Sequence, residues 1–155
     1  MLTDGFNHVA ILTNDMARLH DFYGEVFGAT HQLVQGGPGE PFWMTVIDVG
    51  EGRELNVFQM AGNTEADRQV PMFGRGRIDH LALQAASFDT FKEIRSRLMA
   101  RGATDDFVTD FGPVLSVFFR DPDGLECEVC VTDPEQRVGV FNPPGTRSAL
   151  FPDTR

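Results

Sequence analysis

Two short strings decide how this chain is read: NHVAILT at positions 7–13 and DHLALQA at positions 79–85. Each places a histidine at the head of an alternating apolar run, and the two histidines, His8 and His80, stand 72 positions apart. The same shift lays VGEGRELNVF (49–58) over DPDGLECEVC (121–130), matching Gly52 to Gly124, Glu54 to Glu126 and Val57 to Val129. FGAT (27–30) resembles RGAT (101–104) at a nearby shift. Three matches in one order argue for duplication, and each copy should be one supersecondary unit.

The element order repeats as well. After the strand at His8, Asn14 is read as the N-cap of a helix. Met16, Leu19, Tyr23, Val26 and Phe27 fall at helical spacing, and Gly28 ends it. In the second copy Ser87 caps, Phe88, Phe91, Ile94 and Leu98 form the stripe, and Gly102 closes. Three extended runs follow each helix, at 31–35, 42–49 and 53–60 and again at 106–110, 114–119 and 125–131, with DPDG as the last turn. The expected fold is α+β: two βαβββ modules, 1–60 and 77–132, forming a curved mixed sheet. A linker at 61–76 joins them, a tail at 133–155 follows, and the whole makes one structural domain.

The length of 155 residues with 41% hydrophobic content suits a single compact unit. A formal charge of −10 and a pI near 4.7 exclude a basic nucleic-acid or anionic-membrane surface. The start of the chain carries no signal-peptide pattern and no window approaches a membrane span, so a cytoplasmic protein with a small-molecule partner is expected. Cys127 and Cys130 form a C-x-x-C, but on a strand residues three apart point to opposite faces, which disfavours a redox or zinc pair.

Strand alternation puts His8 with Ala10 and His80 with Ala82, while Glu126, Glu128 and Cys130 share one side of the last strand. A carboxylate within an apolar strand is costly to bury unless it is paired or binds a metal. Two histidines and Glu128 at related positions of a duplicated sheet therefore suit one first-row divalent ion. Gln84, Trp43, Tyr23, Phe118 and Asn56 are candidates for lining a substrate pocket. His20 is read as a surface residue, and His31 is given no role. The tail, with NPPG at 142–145 and Phe151, is too rich in Pro and charge to extend the sheet and is expected to wrap the outside or a partner subunit, or to be mobile.

A βαβββ repeat opening H-V-A-I-L and H-L-A-L, with D-F-Y at 21–23 and D-P-D-G followed by Glu128, resembles the vicinal oxygen chelate superfamily over 5–132. That family includes glyoxalase I, fosfomycin-resistance transferases, extradiol dioxygenases and metal-free bleomycin-resistance proteins. The resemblance implies an enzyme whose divalent metal (Fe, Mn, Ni, Co or Zn) is held at His8, His80 and Glu128, with lyase, isomerase, transferase or dioxygenase chemistry on vicinal oxygens. It also implies a homodimer. The alternative it leaves open is a metal-free protein that sequesters a small molecule. Glyoxalase I-like members carry a second glutamate at the first-copy position equivalent to Glu128, where this chain has Asn56. Either Glu54 reaches the metal through a slipped register, or the ion has three protein ligands. The ungapped repeat favours three, leaving Glu54 as a candidate proton carrier.

Overall fold

The computed structural model describes residues 2–132 and 142. The chain divides into two compact units, Met1–Gln69 with Pro122–Gly124, and Val70–Asp121 with Leu125 onward, so the division falls inside the 61–76 segment. The first unit runs β1 (His8–Leu12), α1 (Met16–Phe27), β2 (His31–Gly36), β3 (Phe42–Asp48) and β4 (Glu54–Met60). The second runs β5 (Leu81–Gln84), α2 (Phe88–Ala100), β6 (Val108–Asp110), β7 (Val114–Arg120) and β8 (Glu126–Thr132). Each forms a four-stranded mixed sheet of the same order, β1-β4-β3-β2 and β5-β8-β7-β6, as the βαβββ reading requires.

The registers superimpose under the 72-residue shift. Ala10 pairs with Asn56 as Ala82 pairs with Glu128, and Thr45 pairs with Val57 as Val117 pairs with Val129. Asn56 therefore occupies the Glu128 position without a slip, and Glu54 occupies that of Glu126.

The helices form where the apolar spacing places them, with one correction at the start of α1. Asp15, not Asn14, is the N-cap: its carboxylate accepts the Arg18 N–H at 3.0 Å, while the Asn14 amide donates to Asp67 at 2.7 Å. A carboxylate at that position satisfies an orphan donor and also complements the helix dipole. Ser87 caps α2 as expected, accepting from Thr90 at 3.1 Å. At its far end Gly102 (φ 62°) donates to Met99 and Ala103 donates to Leu98, a Schellman closure that favours a residue free to turn left-handed.

Each sheet buries one face against its helix. In the first unit Met16, Leu19, Tyr23 and Val26 meet the side of the sheet that carries Thr45, Ile47, Leu55 and Val57. Phe22 joins them, and Phe27 is only half-buried. In the second unit Phe91, Ile94 and Leu98 are buried with Leu115, Val117, Phe119, Cys127, Val129 and Val131. Burial of each large side chain contributes roughly 1.5–3 kcal/mol.

The outer strands differ. All of β2 is exposed, with a bulge at Val34 and a turn at Gly36 (φ 72°), where a Cβ would lie 1.9 Å from the Phe42 carbonyl oxygen. In the second unit Asn142 occupies the β6 edge: its side chain accepts the Val108 N–H at 2.5 Å and donates to the Val108 carbonyl at 3.0 Å. The rest of the 133–155 tail lies outside the described residues. None of the described helices is long and apolar enough to cross a membrane.

Phe91→Ala should lower unfolding free energy by about 3–5 kcal/mol, whereas Met99→Ala, at an exposed position of α2, should change it by less than about 0.5 kcal/mol. Urea denaturation at neutral pH checks both.

Candidate functional site

The face of the second sheet turned away from α2 carries the chemistry. Alternation along β7 and β8 places Ser116, Phe118 and Arg120 there together with Glu126, Glu128 and Cys130. His80 immediately precedes β5, and its Nε2 stands 3.2 Å from Oε2 of the buried Glu128. The other atoms of this pair are already engaged. The His80 Nδ1–H donates to Asp79 Oδ2 at 2.7 Å, and the Ser116 hydroxyl donates to Glu128 Oε1. Phe118 stacks edge-on against the imidazole, with centroids 5.7 Å apart.

The Asp79 carboxylate can only accept, so it keeps the neutral imidazole in the Nδ1–H form and leaves a lone pair on Nε2. That lone pair faces a carboxylate oxygen. Two acceptors at 3.2 Å hold this geometry only by sharing a proton or a cation, and a nitrogen and oxygen donor so arranged suit a first-row divalent ion. Among the described residues, no three His, Cys, Asp or Glu side chains are grouped to hold a metal, and the second unit brings two such donor atoms together.

Glu126, the neighbouring carboxylate, is committed elsewhere. It accepts from the Met72 N–H at 2.6 Å, from Arg120 at 2.7 and 3.1 Å and from Arg75 at 3.4 Å. Its work is to anchor the segment that leads to His80. Asp79 is held below the usual carboxylate range, first by the hydrogen bond from His80 and then by that from the Phe73 N–H.

The first unit repeats part of this arrangement. His8 is exposed and its Nδ1–H donates to the Asn7 carboxamide oxygen at 2.8 Å, the position 72 before Asp79. On the same face lie Glu54, directly paired with His8 in the β1–β4 register, and Asn56. The position corresponding to Ser116 is Met44, which has no donor to offer. Asn56 Oδ1 is accordingly buried with no hydrogen-bond partner among the described residues, a cost of about 1–3 kcal/mol for an unused acceptor. The structure thus groups His80, Glu128 and Phe118 in one unit and His8, Glu54 and Asn56 in the other.

Of the remaining pocket candidates, Gln84 shares the face of Glu128 and Cys130, with its amide donating to the Ala85 carbonyl at 3.0 Å. Trp43 does not share the face of Asn56. Its register with Gln59 puts it on the α1 side, where its ring meets His20 edge-on at 6.3 Å. His20 is not a surface residue either. It reaches across to Thr45, with Nε2 2.8 Å from the hydroxyl, and stacks on His31 at 3.8 Å. Helical spacing alone places it away from the core stripe, but the imidazole reaches the buried Thr45 of β3. Burial, then the neighbouring His31, lower its pKa to about 4, against a smaller opposing pull from Asp21. Cys127 faces the core and Cys130 the Glu128 side, both as free thiols, and burial together with Glu128 pushes the Cys130 thiol up to about 12. The C-x-x-C is not a redox pair in this geometry.

Sequence reading passed over Ser116, Asp79 and Asn7. The last two were legible as the residues preceding each histidine at the same 72-residue shift, and Ser116 as the polar member of an alternating strand two before Phe118.

A model of the Glyoxalase/Bleomycin resistance protein/Dioxygenase superfamily matches residues 5–129. The chain belongs to this superfamily. Among solved structures, it is similar to a glyoxylase/bleomycin resistance protein/dioxygenase domain from Frankia sp. EAN1pec, at 19% identity over 85% of this chain and 94% of that one, with a TM-score of 0.66. A lactoylglutathione lyase from Agrobacterium tumefaciens gives 20% identity, 84% and 96% coverage and a TM-score of 0.58. The fosfomycin resistance protein FosX from Listeria monocytogenes, complexed with Mn(II) and sulfate, gives 17%, 88% and 98%, and 0.61. At these identities the likeness shows the superfamily fold. No curated protein matches the sequence.

The His20 environment generates a pH dependence. Its pKa is about 4 in the folded chain against 6.5 for a free imidazole, so between these values the unfolded state binds the extra proton. Stability contributed by neutral His20 is complete above pH 6.5 and is lost as pH falls through about 4. His20→Gln should flatten the decline of Tm over that window, measured by thermal melts at stepped pH.

Proposed function

We propose that this chain is a metal-dependent enzyme acting on a small molecule that chelates through two adjacent oxygens. His8, His80 and Glu128 would be three protein ligands of one divalent ion, Fe, Mn, Ni, Co or Zn. The observation that carries this reading is the His80 Nε2 to Glu128 Oε2 pair, a nitrogen and a carboxylate oxygen 3.2 Å apart that share a proton or a cation, with their outer atoms pinned by Asp79 and Ser116. The lone pair that Asn7 leaves on His8 Nε2 has the same character, and His8 is supplied by the same chain or by a second copy of it.

When bound, such an ion supplies Lewis-acid stabilisation of developing negative charge on substrate oxygen. The protein's share is to hold and to move protons. Ser116 keeps one Glu128 oxygen occupied, so the other is the free donor. Glu54, half-exposed on the His8 face, would take or return a substrate proton, and Asn56 lies beside it on that face with its Oδ1 buried. Phe118 and Gln84 contact the substrate beside His80, and Trp43, on the α1 side, does not. We further propose a homodimer, supported by the fully exposed edge of β2 with Leu33 and Val34 at 57% and 53% exposure. Light scattering at micromolar concentration should give twice the monomer mass.

Metal analysis of purified protein should find close to one divalent ion per chain. Adding Mn²⁺ or Ni²⁺ at about a hundred times Kd to stripped protein should stabilise it by about 2.7 kcal/mol. Glu128→Gln should abolish that stabilisation while leaving the metal-free Tm within a few degrees. If none of the five ions is retained or stabilises the wild type, the metal-free sequestering alternative replaces this reading.

A further inference from the structure

The segment before His80 is built around a single carboxylate. Asp79 Oδ2 accepts the His80 Nδ1–H at 2.7 Å, and Asp79 Oδ1 accepts the backbone N–H of Phe73. Phe73 has a left-handed backbone, φ 67°, and an 83% exposed ring. An aromatic residue adopts that conformation only where its surroundings impose it. The rest of the turn is fixed from the other side. Arg75 donates to the Val70 carbonyl, to the Asp79 carbonyl at 3.2 Å and to the Glu126 carbonyl at 3.0 Å, and Met72 N–H donates to Glu126 Oε2.

The repeat explains why this position is an aspartate. In the first unit the corresponding residue, Asn7, has one bond to make, from His8 Nδ1, and one carboxamide oxygen suffices. In the second unit two donors converge, and only a carboxylate presents two acceptor oxygens. Asparagine at 79 would leave one of the two donors facing an amide N–H.

We propose that Asp79 is a positioning residue that couples the 70–79 turn to His80, so that the turn's conformation and the imidazole's Nδ1–H tautomer are set together. This rests on the reading of His80 and Glu128 as a donor pair. A disturbed turn releases the imidazole.

The test is made first on metal-free protein. Imidazole ¹⁵N shifts of His80 report its tautomer, and amide exchange at Phe73 reports the turn. In Asp79→Ala the His80 shifts should move from the single Nδ1–H form to a mixture, and Phe73 exchange should rise at least about tenfold as its bond is lost. Asp79→Asn, isosteric and retained in case the alanine variant does not fold, should move at least one of the two signals. Asn7→Ala should alter His8 and leave Phe73 unchanged. Mn²⁺ affinity should then fall about 10–100-fold in the Asp79 variants. The proposal is overturned if His80 keeps a single Nδ1–H tautomer and Phe73 keeps its protection in the folded Asp79 variants. A wild type that binds no Mn²⁺ would sink the metal reading instead, while the metal-free signals still decide the coupling.

Discussion

A parallel strand pair cannot be closed by a tight turn, and in both units the first strand lies parallel to the last. The chain must leave β1 or β5 by a crossover, and here it crosses as a helix and returns through two antiparallel strands before it pairs. That constraint explains the shared order β1-β4-β3-β2 and β5-β8-β7-β6, the single helix per unit and the assignment of one sheet face to it. It also brings the histidine at the head of the first strand to the same end and face as the acidic or amide residues of the last. His8 beside Glu54, and His80 beside Glu128, follow from parallel pairing rather than from any local motif.

Once the register is fixed, the two copies are free to diverge in what they place on the open face. The second unit has Ser116 and Phe118 where the first has Met44 and Val46, and Glu128 where the first has Asn56. A buried carboxylate is tolerable because a hydroxyl satisfies one oxygen and a proton or cation shared with the imidazole satisfies the other. The first unit has lost that hydroxyl, and its amide oxygen stays unused. One duplicated scaffold therefore carries a buried carboxylate beside a histidine in one copy and an amide at the same position in the other. Superfamily membership and the likeness to lyase, fosfomycin-resistance and oxidase structures fit a scaffold whose chemistry is decided by these few face residues.

The sequence by itself determined the architecture. The 72-residue repeat, the helical stripes of Leu19 and Val26 or Phe91 and Leu98, and the DPDG turn sufficed for two βαβββ modules, because hydrophobic periodicity and turn chemistry are local properties of the chain. The equivalence of Asn56 to Glu128 was legible for the same reason, since an ungapped repeat preserves register. Tertiary structure decided which polar groups meet. Asp15 took the cap from Asn14, His20 reached Thr45 and His31 on the helix side of the sheet, Trp43 fell on that same side, and Ser116 and Asp79 proved to hold Glu128 and His80. Hydrogen bonds between residues far apart in sequence depend on the reach and rotamer of each side chain across a formed sheet, and strand alternation names a face without naming a partner.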